Sequence, residues 1–393
     1  MEREPRFAER MSRVAPSAIM ELLKTAGTGE YISFASGLPD PALFPVEGLR
    51  AAADRVLASD HGGALQYGPA EGYTPLRAWV AERLKSRGFS AAVENVLLTS
   101  GSQQALDLAA RAFLNSGDAV CIESPTYPAA LQVCDSYGAV YRPVPQDEDG
   151  IIVEEAVTAV AAGCALLFAL PNFQNPTGRT LAAGRRERLA AALDRSETVL
   201  IEDDAYYDLR YEGEPLPPIG SLMREGTALY SGTFSKSIAP GLRVGYLYGP
   251  TRVIERLTHL KQIADLHTGS LSQRLVYDFV TGGGLPAQIE RLRTAYGEKC
   301  DVMLAALRRT MPEGVHWTHP AGGMFLWLTL PAAVDASSLL KESMARGVIF
   351  VPGAGFHPDR RGANTLRLNF VSAPPDKIEQ GIQTLADIIK RTS

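Results

Sequence analysis

Residues 165–203 read ALLFALPNFQNPTGRTLAAGRRERLAAALDRSETVLIED. An apolar run, ALLFAL, leads into a loop of Pro, Asn, Gly and Thr. The stretch AAGRRERLAAALDR then places apolar residues at helical spacing, and a second apolar run ends in two acidic residues. Runs that are apolar on consecutive residues suit strands buried on both faces. A strand, a helix and a strand in that order imply a right-handed crossover between parallel neighbours. The same alternation extends outward from about Val93 to Gly249, with NVLLT, AVCIE and AVYRPV before it, ALYSG and VGYLYG after it, and SQQALDLAARAFL as a further helix. The expected fold is therefore α/β, a mostly parallel sheet flanked by helices, whose ligands bind beyond the carboxyl ends of the strands.

Beyond Pro250 the text turns helical, from Arg252 to Val280 and again from Ala287 to Arg309, broken by TGGG at Thr281 to Gly284. From Val315 onward short strands (MFLWLTL, VIFVP, TLRLNF) and two helices describe a smaller α+β unit. The first forty residues hold one amphipathic stretch, Ser17 to Lys24, and then SGLPDPALFP, too rich in Pro and Gly for regular structure. The longest apolar run, Ala156 to Leu170, is interrupted by Thr158 and Gly163 and stops at Pro171. It reads as a helix end joined to a buried strand, too short for a membrane span.

The chain has 393 residues, 46% hydrophobic and 21% charged, with 36 Gly and 26 Pro. That profile excludes a disordered, collagenous or disulfide-stapled protein and allows two or three compact units. The net charge of −5 leaves no basic excess for nucleic acid or an anionic membrane. Cys121, Cys134, Cys164 and Cys300 are too scattered for a zinc or disulfide framework and read as buried free thiols. The opening MEREPRFAERMSR is charged where a secretory peptide is apolar, so a cytoplasmic location is expected.

Five windows at strand ends carry chemistry. In YSGTFSKSIAPGLRVGY, Lys236 follows a strand in a loop of small hydroxyl residues, with Arg243 seven residues on. A lysine taken at random is a solvated surface charge. Here a neighbouring cation disfavours the ammonium and frees the amine to add to a carbonyl as a Schiff base, while arginine beside Thr233 and Ser235 suits a phosphate. In TVLIEDDAYYDL a strand delivers Asp203 and Asp204, then Tyr206; a carboxylate buried there needs a cation or a protonated nitrogen. A metal is the competing partner, and no His stands nearby in sequence to complete its shell.

The remaining windows are weak singly. ALPNFQNPTGRT brings Asn175 in a turn, and LLTSGSQQALDL puts Ser100, Gly101, Ser102 and Gln103 between a strand and a helix N-terminus, an anion site by geometry. IESPTYPAAL sets Tyr127 on a loop, as good a core aromatic as a ligand platform. Together they offer an amine, a carboxylate, an amide, a flat aromatic and a phosphate cradle, which suits pyridoxal phosphate held through Lys236, its ring nitrogen on Asp203, its phosphate on Ser100 to Gln103 and Arg243.

The ordered set ISFASGLPDPALFP, YGPAEGYTPLR, TSGSQQALDL, ESPTYP, NFQNPTG, EDDAYY, GTFSKSIAPGLRVGY and TLRLNF resembles the pyridoxal-phosphate-dependent aminotransferases of class I/II, fold type I. Within them it is similar to the aminoadipate and kynurenine aminotransferase-like branch, over nearly the whole chain. The resemblance implies a large cofactor-binding domain over 46–280 and a small α+β domain made by both chain ends, 1–45 and 281–393. It implies that Lys236 holds the cofactor and shuttles the substrate proton, that Asp203 pairs with the ring nitrogen, and that Asn175 and Tyr206 bond the ring oxygen. Tyr127 would stack on the ring. Gly101, Ser102 and Gln103, with Thr233 or Ser235 and Arg243, would hold the phosphate. Tyr67 would reach the phosphate of a neighbouring subunit, making the active unit a homodimer with shared sites.

By the same resemblance Arg367 would clamp the substrate carboxylate in a bidentate pair, and Gly37 would let the N-terminal segment come close to substrate. Met20 stands where aminoadipate-using relatives are expected to carry an arginine, which points to apolar or aromatic substrates unless Lys24 serves instead. An L-amino acid donor and a 2-oxo acid acceptor, 2-oxoglutarate for preference, are the implied small-molecule partners, with no resident metal. The alternatives are a β-eliminating C–S lyase or a racemase on the same cofactor, and a transcription regulator, for which no basic winged-helix text precedes SGLP.

Overall fold

The computed structural model describes residues 5–14, 16, 22, 31–59 and 62–392. After β1 (Ile32–Ser33) come the strands of the large sheet: β2 (Val96–Thr99), β3 (Ala119–Ser124), β4 (Val140–Asp147), β5 (Gly150–Ile151), β6 (Leu166–Ala169), β7 (Val199–Asp203), β8 (Ala228–Thr233) and β9 (Gly245–Tyr248). Their order is β2-β9-β8-β7-β6-β3-β4-β5. The central strands run parallel, β4 to β3 to β6 to β7 to β8. The pairs β8–β9 and β9–β2 are antiparallel, so the two reversals cancel and β2 points the same way as β8. That cancellation puts the loops after β2, β3, β6, β7 and β8 on one edge, where all five windows fall.

Strand alternation divides the core. Leu166 and Phe168 join Val120, Ile122 and Ile201 on one face, under the helices Ser102–Phe113, Pro128–Ser136 and Thr251–Asp265. Leu167 and Ala169 join Cys121 and Leu200 on the other, under Val153–Ala161 and Ala183–Leu193. Each Leu or Ile so enclosed stabilises by about 1.5–3 kcal/mol. All four cysteines are free and buried.

The smaller sheet runs β10 (His316–Trp317), β11 (Phe325–Thr329), β14 (Thr365–Asn369), β13 (Val351–Pro352), all antiparallel, while β12 (Val348–Ile349) pairs in parallel with β1. The stretch VIFVP, read as one strand, is therefore split at Phe350, where the chain passes from one sheet to the other. The last helix, Pro375–Thr392, buries Ile378, Ile382, Leu385 and Ile389 along one stripe. Its cluster also contains Phe34, Phe173, Tyr206, Phe325 and Leu366, so the loops of the large sheet and the small sheet share one core.

Two expectations change. The helix read from Arg252 to Val280 is two, Thr251–Asp265 and Ser270–Thr281, parted at Leu266, whose φ is 62°. The next begins at Gly284, earlier than read, behind Gly283 in the left-handed region. The amphipathic stretch Ser17 to Lys24 lies outside the described residues except for Leu22.

Gly245 closes the β2–β9–β8 junction: a Cβ there would lie 2.9 Å from both the Gly101 carbonyl carbon and the Gly232 carbonyl oxygen. Gly245→Ala is expected to cost about 1–3 kcal/mol by overpacking. Denaturant unfolding would read this, and an unchanged midpoint would show that the strands can part there.

Candidate active site

Asp203 ends β7 and is 4% exposed, directly across from Ser231 on β8. Among the described residues neither Asp203 Oδ1 nor the Ser231 hydroxyl has a hydrogen-bond partner. Burial, and then repulsion from Asp204, pushes the Asp203 carboxyl up to about 7, with Lys236 opposing the rise. The facing Ser231 hydroxyl also opposes the rise, and an under-bonded buried acceptor at a strand end suits a donor from a bound group. Asp204, one residue on, takes its hydrogen bonds from Asn172 Nδ2 at 2.8 Å and the Tyr230 hydroxyl at 2.8 Å, and Arg87 Nη1 donates to that hydroxyl at 2.6 Å. The two carboxylates are thus engaged in different surroundings and do not form one metal-binding pair.

Lys236, half-buried, donates from Nζ to the Gly37 carbonyl at 3.0 Å. Its amine is lowered to about 8, first by burial, then by Arg367, and also by Arg243, against the pull of Asp203. The sequence reading credited Arg243 alone. Folding adds a larger influence from Arg367, far away in sequence.

Arg367 sits in the middle of β14 and is 2% exposed. Its guanidinium lies 4.3 Å from the Phe325 ring centroid and 5.1 Å from that of Phe356. Nη1 donates to Asn175 Oδ1 at 2.9 Å and Nη2 to the Ala35 carbonyl at 2.7 Å, while Nε has no partner among the described residues. Burial lowers the group to about 10, which leaves it a cation at neutral pH. Each Nη keeps a second N–H, so a carboxylate can still be gripped. Asn175, Tyr206 and Arg367 are all buried and meet here, with the Tyr206 ring edge-on to Phe325 at 5.9 Å. Burial raises the Tyr206 phenol well above its ordinary range. Tyr127, half-buried before the helix Pro128–Ser136, is pushed up to about 12 by burial, so both phenols stay protonated hydrogen-bond donors at neutral pH.

At the end of β2, Gly101 (φ 84°) precedes the helix Ser102–Phe113, whose first amides lack intrahelical partners. Arg243 Nη2 donates to the Ser100 carbonyl at 2.9 Å, and a Cβ on Gly101 would run into that guanidinium, 2.9 Å from Cζ. Gln103 is exposed, so only its backbone faces the turn. The Thr233 hydroxyl donates to Ser235 Oγ at 2.9 Å and accepts from the Ser235 amide at 3.1 Å, which leaves the Ser235 hydroxyl proton free for an anion.

Other expected residues stand apart or differ in detail. Tyr67 is 77% exposed, its ring edge-on to His267 at 5.7 Å. Gly37 is in place, but among the described residues a Cβ there would meet only Phe325 Cζ at 3.9 Å, so no crowding from them demands a glycine. Met20 and Lys24 lie outside the described residues.

Sequence reading missed Ser231, and it missed the buried brace behind Asn175. In that brace Gln174 donates to Glu123 at 3.1 Å and to the Pro125 carbonyl at 2.8 Å, tying the Asn175 loop to the Tyr127 loop. Burial lifts Glu123 to about 8, which keeps it protonated at neutral pH. An acid at the end of an apolar strand was the available signal.

Comparison with known proteins agrees with this geometry. A family model for aminotransferase class I and II matches residues 30–385. An aromatic-amino-acid aminotransferase 1 from Thermococcus litoralis is 41% identical, over 98% of this chain and 94% of its own length. A kynurenine aminotransferase from Pyrococcus horikoshii, solved in complex with PMP, matches with TM-score 0.94 and 40% identity, over 98% of this chain and 97% of that one. An alpha-aminoadipate aminotransferase from Thermus thermophilus, complexed with N-(5'-phosphopyridoxyl)-L-leucine, matches with TM-score 0.91 and 38% identity, over 98% and 97%. With the family matched from before β1 into the last helix, the chain belongs to the class I and II aminotransferases.

Proposed function

We propose that this aminotransferase, which works with pyridoxal phosphate, transfers the amino group of L-amino acids with aromatic, apolar or aminoadipate-like side chains to a 2-oxo acid, 2-oxoglutarate for preference. The observation that carries the reading is the pairing of an orphaned buried carboxylate oxygen, Asp203 Oδ1, with a lysine amine lowered to about 8 and a buried arginine beyond it. The cofactor, when bound, supplies an aldehyde carbon and a conjugated ring that draws electron density from the substrate α-carbon. Asp203 would hold a proton on the ring nitrogen, Tyr127 would lie against the ring, and Asn175 and Tyr206 would bond the ring oxygen. The amides of Ser102 and Gln103, Ser235 and Arg243 hold the phosphate. Arg367 grips the substrate carboxylate, and Lys236 Nζ takes the α-proton as general base.

The free amine is the reactive form, so capture of pyridoxal phosphate by cofactor-free protein is expected to speed up with pH and level off above about 8. A profile flat from about pH 6 to 9 would remove Lys236 from the role. Donor preference rests on Met20. To test the reaction, loaded protein is given single amino acids without any oxo acid. Stoichiometric loss of its long-wavelength absorbance with aromatic or apolar donors is expected, and steady release of pyruvate and ammonia from cysteine conjugates would replace transfer by β-elimination.

Leu65, Tyr67, Ile263 and Leu266 are all more than half exposed. Tyr67 meets His267 edge-on, and the Ser270 hydroxyl donates to the Gln66 carbonyl at 2.9 Å, which draws these segments together beside the phosphate turn. A second copy covering them, with Tyr67 reaching the partner's phosphate, is the assembly we favour. No helix among the described residues is long and apolar enough to cross a membrane, and the cytoplasm is the proposed setting.

A further inference from the structure

Beneath the phosphate turn lies an ion pair that no part of the proposed chemistry uses. Lys261 and Asp265 stand one turn apart on the helix Thr251–Asp265, and the lysine side chain is wholly enclosed. Lys261 Nζ donates to Asp265 Oδ1 at 2.7 Å and to Oδ2 at 2.8 Å. Oδ2 also accepts from the Ser100 hydroxyl at 3.0 Å and from Gln104 Nε2 at 2.7 Å. Gln104 Oε1 accepts from the Ser100 amide at 2.8 Å, and the Ser100 carbonyl accepts from Arg243. One carboxylate therefore grips both ends of the turn that carries Gly101, Ser102 and Gln103.

Two costs show that Asp265 is not placed for the sake of its own helix. An anion at a helix C-terminus faces the negative end of the macrodipole. Leu266, directly after it, is a branched non-glycine residue at φ 62°, a conformation such residues rarely adopt. A carboxylate beside a bound phosphate dianion would also repel it unless its charge were cancelled.

We propose that Lys261 and Asp265 are positioning residues for the cofactor phosphate: Asp265 sets the Ser100–Gln104 turn so that its amides face the anion, and Lys261 cancels the carboxylate's charge so that the turn stays receptive. This rests on the turn being the phosphate site. Single deletion of the cation leaves a half-buried, uncompensated anion, whereas removing both charges does not. Asparagine at 265 can still accept from Ser100 and Gln104.

The test measures equilibrium binding of pyridoxal phosphate and of pyridoxal, side by side, to the cofactor-free full chain. Lys261→Met is expected to weaken pyridoxal phosphate by about 10- to 100-fold while pyridoxal changes by less than about threefold. Lys261→Met/Asp265→Asn should regain most of that loss. Equal losses for both ligands would reduce the pair to a packing role and overturn the proposal, as would a double variant no better than Lys261→Met. Should Lys261→Met fail to fold, the double variant decides by itself: a preference for pyridoxal phosphate within about threefold of the parent supports charge cancellation, and a lost preference refutes it. Arg243→Gln separates the underlying reading. If it leaves the preference for pyridoxal phosphate intact, the phosphate lies elsewhere and the proposal falls with its site; if only the Lys261 series is silent, the site stands and the pair is excluded.

Discussion

Replacing Lys236 with alanine is expected to lower transamination by at least about 10⁴-fold, since the side chain supplies both the covalent anchor and the general base. The corresponding loss, about 5.5 kcal/mol of transition-state stabilisation, exceeds what any packing change at this position could produce. Stability should move little. Among the described residues the amine makes one hydrogen bond, to the Gly37 carbonyl, and it lies under the unfavourable influence of Arg367 and Arg243. Its removal leaves those two cations less crowded, so the folding free energy is expected to stay within about 1 kcal/mol of the parent. Turnover with a saturating donor and oxo acid, beside thermal unfolding of the same preparation, makes the comparison. Turnover within a hundredfold of the parent would refute the assignment, and loss of the fold would show that the amine has a structural part not visible in its contacts.

The second large effect is expected at Arg367. Lysine would keep the charge but not the planar fork, and it cannot lie between Phe325 and Phe356 while reaching Asn175 and the Ala35 carbonyl together. Arg367→Lys is expected to reduce kcat/KM for the amino acid by about 10²- to 10³-fold, the usual consequence of breaking a desolvated, hydrogen-bonded ion pair. Affinity for pyridoxal phosphate should change by less than about threefold, because the phosphate is assigned to the Gly101 and Arg243 side of Lys236. That division separates a substrate clamp from a general scaffold. If cofactor affinity and kcat/KM fell together, Arg367 would be supporting the whole pocket, and the carboxylate would have to be held by another group.

The strands were legible in the sequence because central strands of a parallel sheet are covered on both faces. Burial on both sides forces consecutive apolar residues, as in LLFA and VLIE, which no surface helix can carry. The candidate site was legible for a related reason, since polar and titratable residues directly after such runs fall on the sheet's ligand edge. The break at Leu266 was hidden, because the residues on both sides of it carry helical spacing, and only the folded chain brings Asp265 against Ser100. The division of VIFVP was hidden too, since its five residues read alike whether they serve one sheet or two.

Periodicity and strand-end position are local properties of the chain, so the parallel α/β architecture, the edge on which the chemistry lies and the residue types gathered there could be read before folding. Which groups act on one another could not. The repulsion of Lys236 by Arg367, the orphaned oxygen of Asp203 across from Ser231, and the hold of Asp265 on Ser100 all join residues far apart in sequence. Electrostatic and hydrogen-bond energies depend on distance and on exclusion of water, and neither quantity exists until the chain has closed around the site.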